Sequence, residues 1–274
     1  MVGLRCWETC WRKFSPTRFI DAASIAVVGT EKDLRTVTTT PGEYAPPTVD
    51  ATIAQLVTRA RTLAASGRRR ILGITGPPGA GKSTVCAQLQ AALGSDAVLV
   101  GMDGFHLANA ELVRLGRLER KGAPDTFDVD GYVALLGRLR AQPARIIYAP
   151  AFDRSIEESI GSAIAVDARV PLVITEGNYL LCDSADWRAV AAQLDESWFL
   201  DVNGDERRRR LIARRESYGH PSDAAVAWVD GVDEPNGVLV EPARARADLI
   251  IRVSTTSNPS FATGPSADRE GVRP

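Results

Sequence analysis

Residues 76–84 read Gly-Pro-Pro-Gly-Ala-Gly-Lys-Ser-Thr and match G-x-x-x-x-G-K-[ST] at every fixed position. The chemistry is recognition of a nucleoside triphosphate. Glycines at 76, 79 and 81 let the backbone approach the anion, and the amides of the turn and of the following helix start form a nest for it. In this pattern the lysine, Lys82, reaches the β- and γ-phosphates, and the hydroxyl, Ser83, sits on Mg²⁺. The chain has four lysines against 29 arginines, so a lysine here is not its habitual cation. A plain Gly/Pro turn explains the glycines but not the Gly-Lys-Ser ending.

Further polar groups follow later apolar runs, where open α/β sheets collect ligands. Asp103 opens Asp103-Gly104-Phe105-His106; its carboxylate suits a base for a substrate hydroxyl or a Mg²⁺ ligand, and equally a turn cap. His106 suits substrate contact or packing. Glu176, after Val173-Ile174-Thr175, can orient Mg²⁺ or simply end a strand. In the run 205–215, helical spacing puts Arg207, Arg210 and Arg214 on one face, able to stabilise transferring phosphate as a lid; the competing reading is a solvated charged face. The segments 120–128, with Arg120, Lys121 and Asp128, and 150–154, with Asp153 and Arg154, are candidates for binding an acceptor molecule or are surface loops.

These groups need elements to hold them. The spacing of Ile53, Leu56, Val57, Ala60, Leu63 and Ala64 predicts a helix from Val49 into the strand 70–75. A helix over 82–93 and a strand over 97–102 complete a βαβ unit, with parallel pairing expected. Further strands are predicted at 145–148, 170–175, 197–202 and 249–253, alternating with helices at 131–140, 185–194 and 205–217. The fold class is α/β, an open and mostly parallel sheet covered on both faces. One domain over 49–253 is expected, with a poorly structured extension and linker over 1–48 and a disordered tail over 254–274. The first twenty residues are basic without a continuous apolar run, so a secretory signal is not expected; a transit peptide and a misassigned start both fit.

Composition excludes several classes. Lys+Arg (33) nearly balance Asp+Glu (34), which argues against a general nucleic-acid binder. No apolar run approaches the ~20 residues that span a bilayer. The four cysteines form no C-x-x-C pair and the two histidines complete no zinc pattern, so reduced thiols in a cytoplasmic protein are expected. A homo-oligomer is left open.

Taken together, Gly76–Thr84, Met102-Asp103-Gly104-Phe105-His106, Arg120-Lys121-Gly122-Ala123-Pro124, Phe152-Asp153-Arg154, Glu176-Gly177-Asn178-Tyr179 and Arg210-Leu211 with Arg214-Arg215 resemble the P-loop kinases that include uridine kinase, phosphoribulokinase and bacterial-type pantothenate kinase. The likeness is nearest the nucleoside kinase-like, fructose-transport-associated branch. It implies the three-layer P-loop NTPase fold with an Arg-rich helical lid. It also implies an enzyme that moves the γ-phosphate of MgATP to a hydroxyl of a nucleoside-like, pantothenate-like or sugar acceptor. By the same resemblance, Asp103 is the base, with Lys82, Arg210 and Arg214 in catalysis. Gly76, Pro77, Pro78, Gly79, Ala80, Gly81, Lys82, Ser83 and Thr84 hold ATP; Ser83 and Glu176 hold Mg²⁺; and His106, Arg120, Lys121, Asp128, Asp153, Arg154 and Asn178 face the acceptor. The Asp103-Gly104-Phe105 stretch is more like pantothenate kinase than uridine kinase. The rivals are a nucleotide switch and a P-loop protein holding ATP as a structural ligand. A guanine-specific switch calls for Asn-Lys-x-Asp, and none of the five asparagines precedes a lysine.

Overall fold

The computed structural model describes residues 45–184 and 186–253. The expectations for 1–44 and 254–274 lie outside the described residues.

In chain order the elements begin with β1 (Thr48–Ala51), α1 (Ile53–Ala64), β2 (Arg70–Thr75), α2 (Lys82–Leu93) and β3 (Ala97–Leu99). They continue with α3 (Asn109–Arg114), α4 (Val129–Ala141), β4 (Ile146–Asp153), β5 (Glu158–Asp167) and β6 (Leu172–Glu176). The last are α5 (Arg188–Ala191), β7 (Glu196–Leu200), α6 (Gly204–Ser217), α7 (Ser222–Trp228), α8 (Glu234–Val240) and β8 (Leu249–Val253). A π-helical turn, Val229–Asp233, joins α7 to α8.

Six strands form one parallel sheet in the order β1-β8-β7-β2-β6-β3. Strand periodicity explains its two buried faces. Leu72 and Ile74 of β2 and Leu172 and Ile174 of β6 pack with Leu56, Val85 and Leu89 of α1 and α2. Ile71, Val173 and Phe199 face the other way, against Tyr132, Leu136 and Leu139 of α4. The three-layer expectation is met.

Local capping sets the helix starts. The Thr52 hydroxyl and Gln55 side chain form a reciprocal capping box on α1. Asp128 accepts the Gly131 amide at 2.9 Å at the start of α4, and Asn203 accepts the Asp205 and Glu206 amides of α6.

The structure departs from the sequence reading at five places. Helix does not begin at Val49: residues 48–51 are laid along β8, with Val49 opposite Ile251. The ordered domain therefore reaches back into the segment expected to be a linker. β2 and β3 are not neighbours, because β6 lies between them and bonds to both. β3 is cut at Leu99, since Met102–Phe105 turns as a 3-10 helix. The strand expected at 145–148 does not join the main sheet; it begins β4, which pairs with β5 as an antiparallel hairpin. The helix expected over 185–194 is only Arg188–Ala191, where buried Trp187 donates to the Pro124 carbonyl at 3.1 Å and fixes the chain as a turn. Among the described residues no helix is long and apolar enough to cross a membrane.

Candidate active site

The site lies past the carboxyl ends of β2, β3 and β6, in a cleft of ≈ 690 Å³ bounded by the β4–β5 hairpin on one side and α6 to α8 on the other. β2 is flanked by β7 and β6, so its turn to α2 sits at the middle of the sheet. Gly79 in this turn has φ +80, and a β-carbon on it would stand 2.8 Å from Leu211 Cγ and 3.0 Å from the Arg207 carbonyl. Only glycine lets α6 lie this close to the loop. α2 then starts from Gly81 with no side-chain cap, which leaves its first amides free for an anion.

Lys82 Nζ donates to the carbonyls of Gly76 (2.9 Å) and Pro77 (3.0 Å) and to Asn178 Oδ1 (2.7 Å). Loss of water around the ammonium pulls its pKa down to about 8, against the opposing pull of Glu176 and Asp103. Ser83 Oγ donates to the Glu176 carboxylate at 2.9 and 3.1 Å to its two oxygens. Burial pushes the Glu176 carboxyl up, with Lys82 as the main counterweight. A hydroxyl and one carboxylate this close match the sparse protein ligation of Mg²⁺, which keeps waters and phosphate oxygens for its remaining positions. Among the described residues no group of three or more His, Cys, Asp and Glu could hold a metal by itself.

Asp103 reaches the cleft from the turn after β3, where Asp103 Oδ2 accepts from Arg154 at 3.1 Å. A β-carbon at Gly104 would meet the Pro150 carbonyl at 2.6 Å, so this turn and the hairpin touch only because residue 104 has none. His106 lies with its ring centroid 4.1 Å from Phe127 and 4.7 Å from Phe152, and its Nδ1 is 2.8 Å from the Asp103 carbonyl. Desolvation lowers its pKa below the usual histidine value, although Asp103 pulls the other way. Beneath the site Tyr132 OH, Thr175 Oγ1 and the Val100 carbonyl form a buried chain (2.5 and 2.6 Å) that ties α4, β6 and the end of β3 together.

Of the residues singled out in the sequence, Pro78, Gly79, Lys82, Ser83, Asp103, His106, Lys121, Arg154, Glu176, Asn178 and Arg214 line this one cleft. Others are turned to different work. Arg120 is bound to Asp125 at 2.8 Å on the exposed face of its loop. Asp128 is spent on the α4 cap. Asp153 accepts the Ser155 amide (2.8 Å) and hydroxyl (2.6 Å) within its own turn. Arg210 pairs with Glu206 at 2.8 Å while its guanidinium stands close to Gly81, beside the loop rather than in the cleft. Arg207 is buried: it donates to the Pro78 carbonyl at 3.3 Å and pairs with Glu234, which makes it a clamp between the loop, α6 and α8.

Sequence reasoning missed Trp228, Asp233 and Asn236, which form the far wall. Arg215, adjacent to Arg214 in the charge run, lies over Trp228 with its guanidinium carbon 3.8 Å from the ring centroid. The only hint in the sequence was the doubled arginine.

The family model for Phosphoribulokinase / Uridine kinase matches residues 71–259. A second model, Methylmalonyl Co-A mutase-associated GTPase MeaB, matches residues 35–102, a stretch that in the described fold ends with the loop, α2 and the turn after β3. The chain is 32% identical over 209 residues to "Putative uridine kinase C227.14" of Schizosaccharomyces pombe, covering 72% of this chain and 89% of that protein. It is 33% identical to "Uncharacterized protein YggC" of Escherichia coli, covering 72% of this chain and 83% of the relative. Among solved structures, a "putative fructose transport system kinase" of Silicibacter sp. TM1040 superposes with a TM-score of 0.67 at 38% identity, over 73% of this chain and 98% of that one. A family match that runs from β2 through β8, on a six-stranded parallel sheet that brings loop, acid and lid arginine to one cleft, settles the assignment. The chain belongs to the phosphoribulokinase/uridine kinase family of P-loop kinases and is an ATP-dependent phosphotransferase acting on a small-molecule hydroxyl.

Proposed function

We propose that the acceptor lies between the β4–β5 hairpin and the lid, that its hydroxyl faces Asp103, and that the carboxylate of Asp103 takes the hydroxyl proton as the oxygen attacks the γ-phosphate of ATP. The observation carrying this reading is that Asp103 shares one cleft with Lys82, Ser83 and Glu176 while approaching from the hairpin side. Arg154, bound to Asp103 Oδ2, holds that carboxylate in the cleft. The residues present suit the nucleotide: the uncapped amides of α2 and the ammonium of Lys82 receive phosphate oxygens, and Ser83 with Glu176 would hold Mg²⁺. Bound Mg²⁺ would screen phosphate charge. Arg214, which lines the cleft from α6, neutralises charge on the phosphate. Two free, buried cysteines, Cys86 and Cys182, accord with a cytoplasmic setting.

The test is ADP release from MgATP with a panel of nucleosides, pantothenate, sugars and sugar acids. One acceptor class is expected to stimulate turnover. Asp103→Asn is expected to lower kcat about 10²–10⁴-fold with little change in MgATP affinity. Undiminished turnover in that variant would remove the base assignment. Slow turnover indifferent to every acceptor would leave a nucleotide binder without this activity.

A further inference from the structure

Asn178 carries an acceptor and a donor on one carboxamide, and only the acceptor has a partner among the described residues. Lys82 Nζ donates to Asn178 Oδ1 at 2.7 Å. An ammonium has no lone pair, so the oxygen must be the atom that faces it and the amide nitrogen must point elsewhere. Asn178 is half-buried and lines the cleft, and its Nδ2 is not among the buried unpartnered atoms, so it keeps accessible surface with which to meet a ligand.

The backbone under this side chain is fixed. The Asn178 carbonyl accepts from Thr75 Oγ1 at 3.0 Å, and the Gly177 amide donates to the Ile74 carbonyl at 3.2 Å. Both bonds tie the chain after β6 to the end of β2, the strand that leads into the phosphate loop. A β-carbon at Gly177 would stand 2.6 Å from Met102, so the same chain also packs tightly against the turn that carries Asp103. Glu176, Asp103 and Arg214 all stand near enough to Lys82 to act on its charge. Asn178 therefore meets Lys82 where the metal-side carboxylate, the proposed base and an arginine of α6 converge.

An ammonium has three N–H groups, and Lys82 gives them to the carbonyls of Gly76 and Pro77 and to Asn178. A phosphate oxygen gains a full hydrogen bond from Lys82 only by taking the place of one of these acceptors. The two carbonyls belong to the lysine's own loop and move with it, whereas Asn178 reaches across from the end of β6 on a side chain that can turn. We infer that the terminal phosphoryl group of the nucleotide replaces Asn178 Oδ1 on Lys82, and that the released carboxamide donates from Nδ2 to the same group. Asn178 is then a binding residue for the γ-phosphate and not, as the family resemblance suggested, for the acceptor. Oxygen and nitrogen of a carboxamide share one carbon, so a group that meets Lys82 lies within reach of both, and an N–H given to an anionic oxygen is a charge-assisted bond. A diphosphate ends one phosphate short of this contact. The inference rests on the nucleotide reading of the loop and is independent of the base and of the acceptor.

Calorimetric titration of the full chain without acceptor tests it, using the magnesium complexes of ADP and of the non-hydrolysable β,γ-imido analogue of ATP. The wild type is expected to bind the triphosphate more tightly than the diphosphate. Asn178→Leu keeps the branched shape and removes both polar atoms; it is expected to weaken triphosphate binding roughly tenfold or more, the weight of a hydrogen bond to a charged group, with MgADP held within about threefold of wild type. Asn178→Ala is expected to do the same and serves as a second variant if the first melts early. A side chain that merely holds Lys82 in place predicts the opposite, because its removal frees an N–H for phosphate. Triphosphate binding as tight as wild type or tighter in these variants therefore overturns the inference, as does a loss shared equally by both nucleotides. A wild type that binds both nucleotides equally overturns it as well. If the wild type binds neither, the nucleotide reading of the loop fails and takes this inference with it.

Discussion

His106 shows how one side chain can be tied to function through its surroundings. Its ring is held between Phe127 and Phe152 and its Nδ1 meets the Asp103 carbonyl, so it braces the turn that carries the proposed base. Asp103, Lys121 and Arg154 are the charged groups around it, and desolvation is the largest influence, lowering its pKa. The sign follows from proton counts. Below the ordinary histidine value of about 6.5 the unfolded chain binds a proton that the folded chain resists, so stability rises with pH through that interval and falls as acid is added. His106→Phe keeps a ring in the stack and removes the titration. The melting temperature of the wild type is expected to fall a few degrees more than that of the variant between pH 7 and pH 5. Equal acid sensitivity of the two proteins would show that the ring titrates freely.

At the scale of elements, the phosphate loop and the lid helix behave as one unit. Gly79 sits at φ +80 under Leu211 and the Arg207 carbonyl, and Arg207 returns a hydrogen bond to Pro78. Gly79→Ala forces both a strained backbone and a displaced α6, so a loss of about 1–3 kcal/mol in urea unfolding is expected, together with weaker MgATP binding. A variant within 0.5 kcal/mol of wild type and with unchanged nucleotide affinity would show that α6 is not braced on the loop. This coupling also marks how far the sequence could be read. The loop was legible because its chemistry is local, nine consecutive residues with fixed roles. β2 and β8 were legible as buried apolar runs, and Leu249–Val253 is observed at the predicted positions. β5 was not, because Ser159-Ile160-Gly161-Ser162-Ala163 is largely exposed and carries no apolar alternation. Nor was the role of Arg207, which differs from Arg208, Arg209 and Arg210 only by what lies under it. The placement of Asp233 depends on a π-helical turn held by Arg207–Glu234 and Tyr179–Asn236, contacts that span 27 and 57 residues of sequence.

For the whole molecule, the described domain closes on itself at the sheet edge. Among the described residues β1 is the outermost strand and pairs only with β8, and the Ile250 amide also donates to the Pro47 carbonyl at 2.9 Å. The first and last strands of the domain are therefore neighbours, and every residue assigned to the site lies between them. A fragment of residues 45–253 is expected to melt within a few degrees of the full chain and to retain its MgATP affinity, measured by thermal denaturation and calorimetric titration. Removing β1 as well is predicted to be different. A 52–253 fragment would bare the backbone edge of β8 and uncover the side of the core where Ala51 packs. At about 2–4 °C per kcal/mol for a chain of this size, a loss of two or more kcal/mol would lower its melting point by at least 4 °C and invite edge pairing between copies. Because β1 touches no part of the cleft, MgATP affinity below that melting point should match the 45–253 fragment. Equal melting of the two fragments would mean that the edge strand contributes nothing. A matching loss of nucleotide affinity would mean that the edge and the site are coupled through β8 and β7.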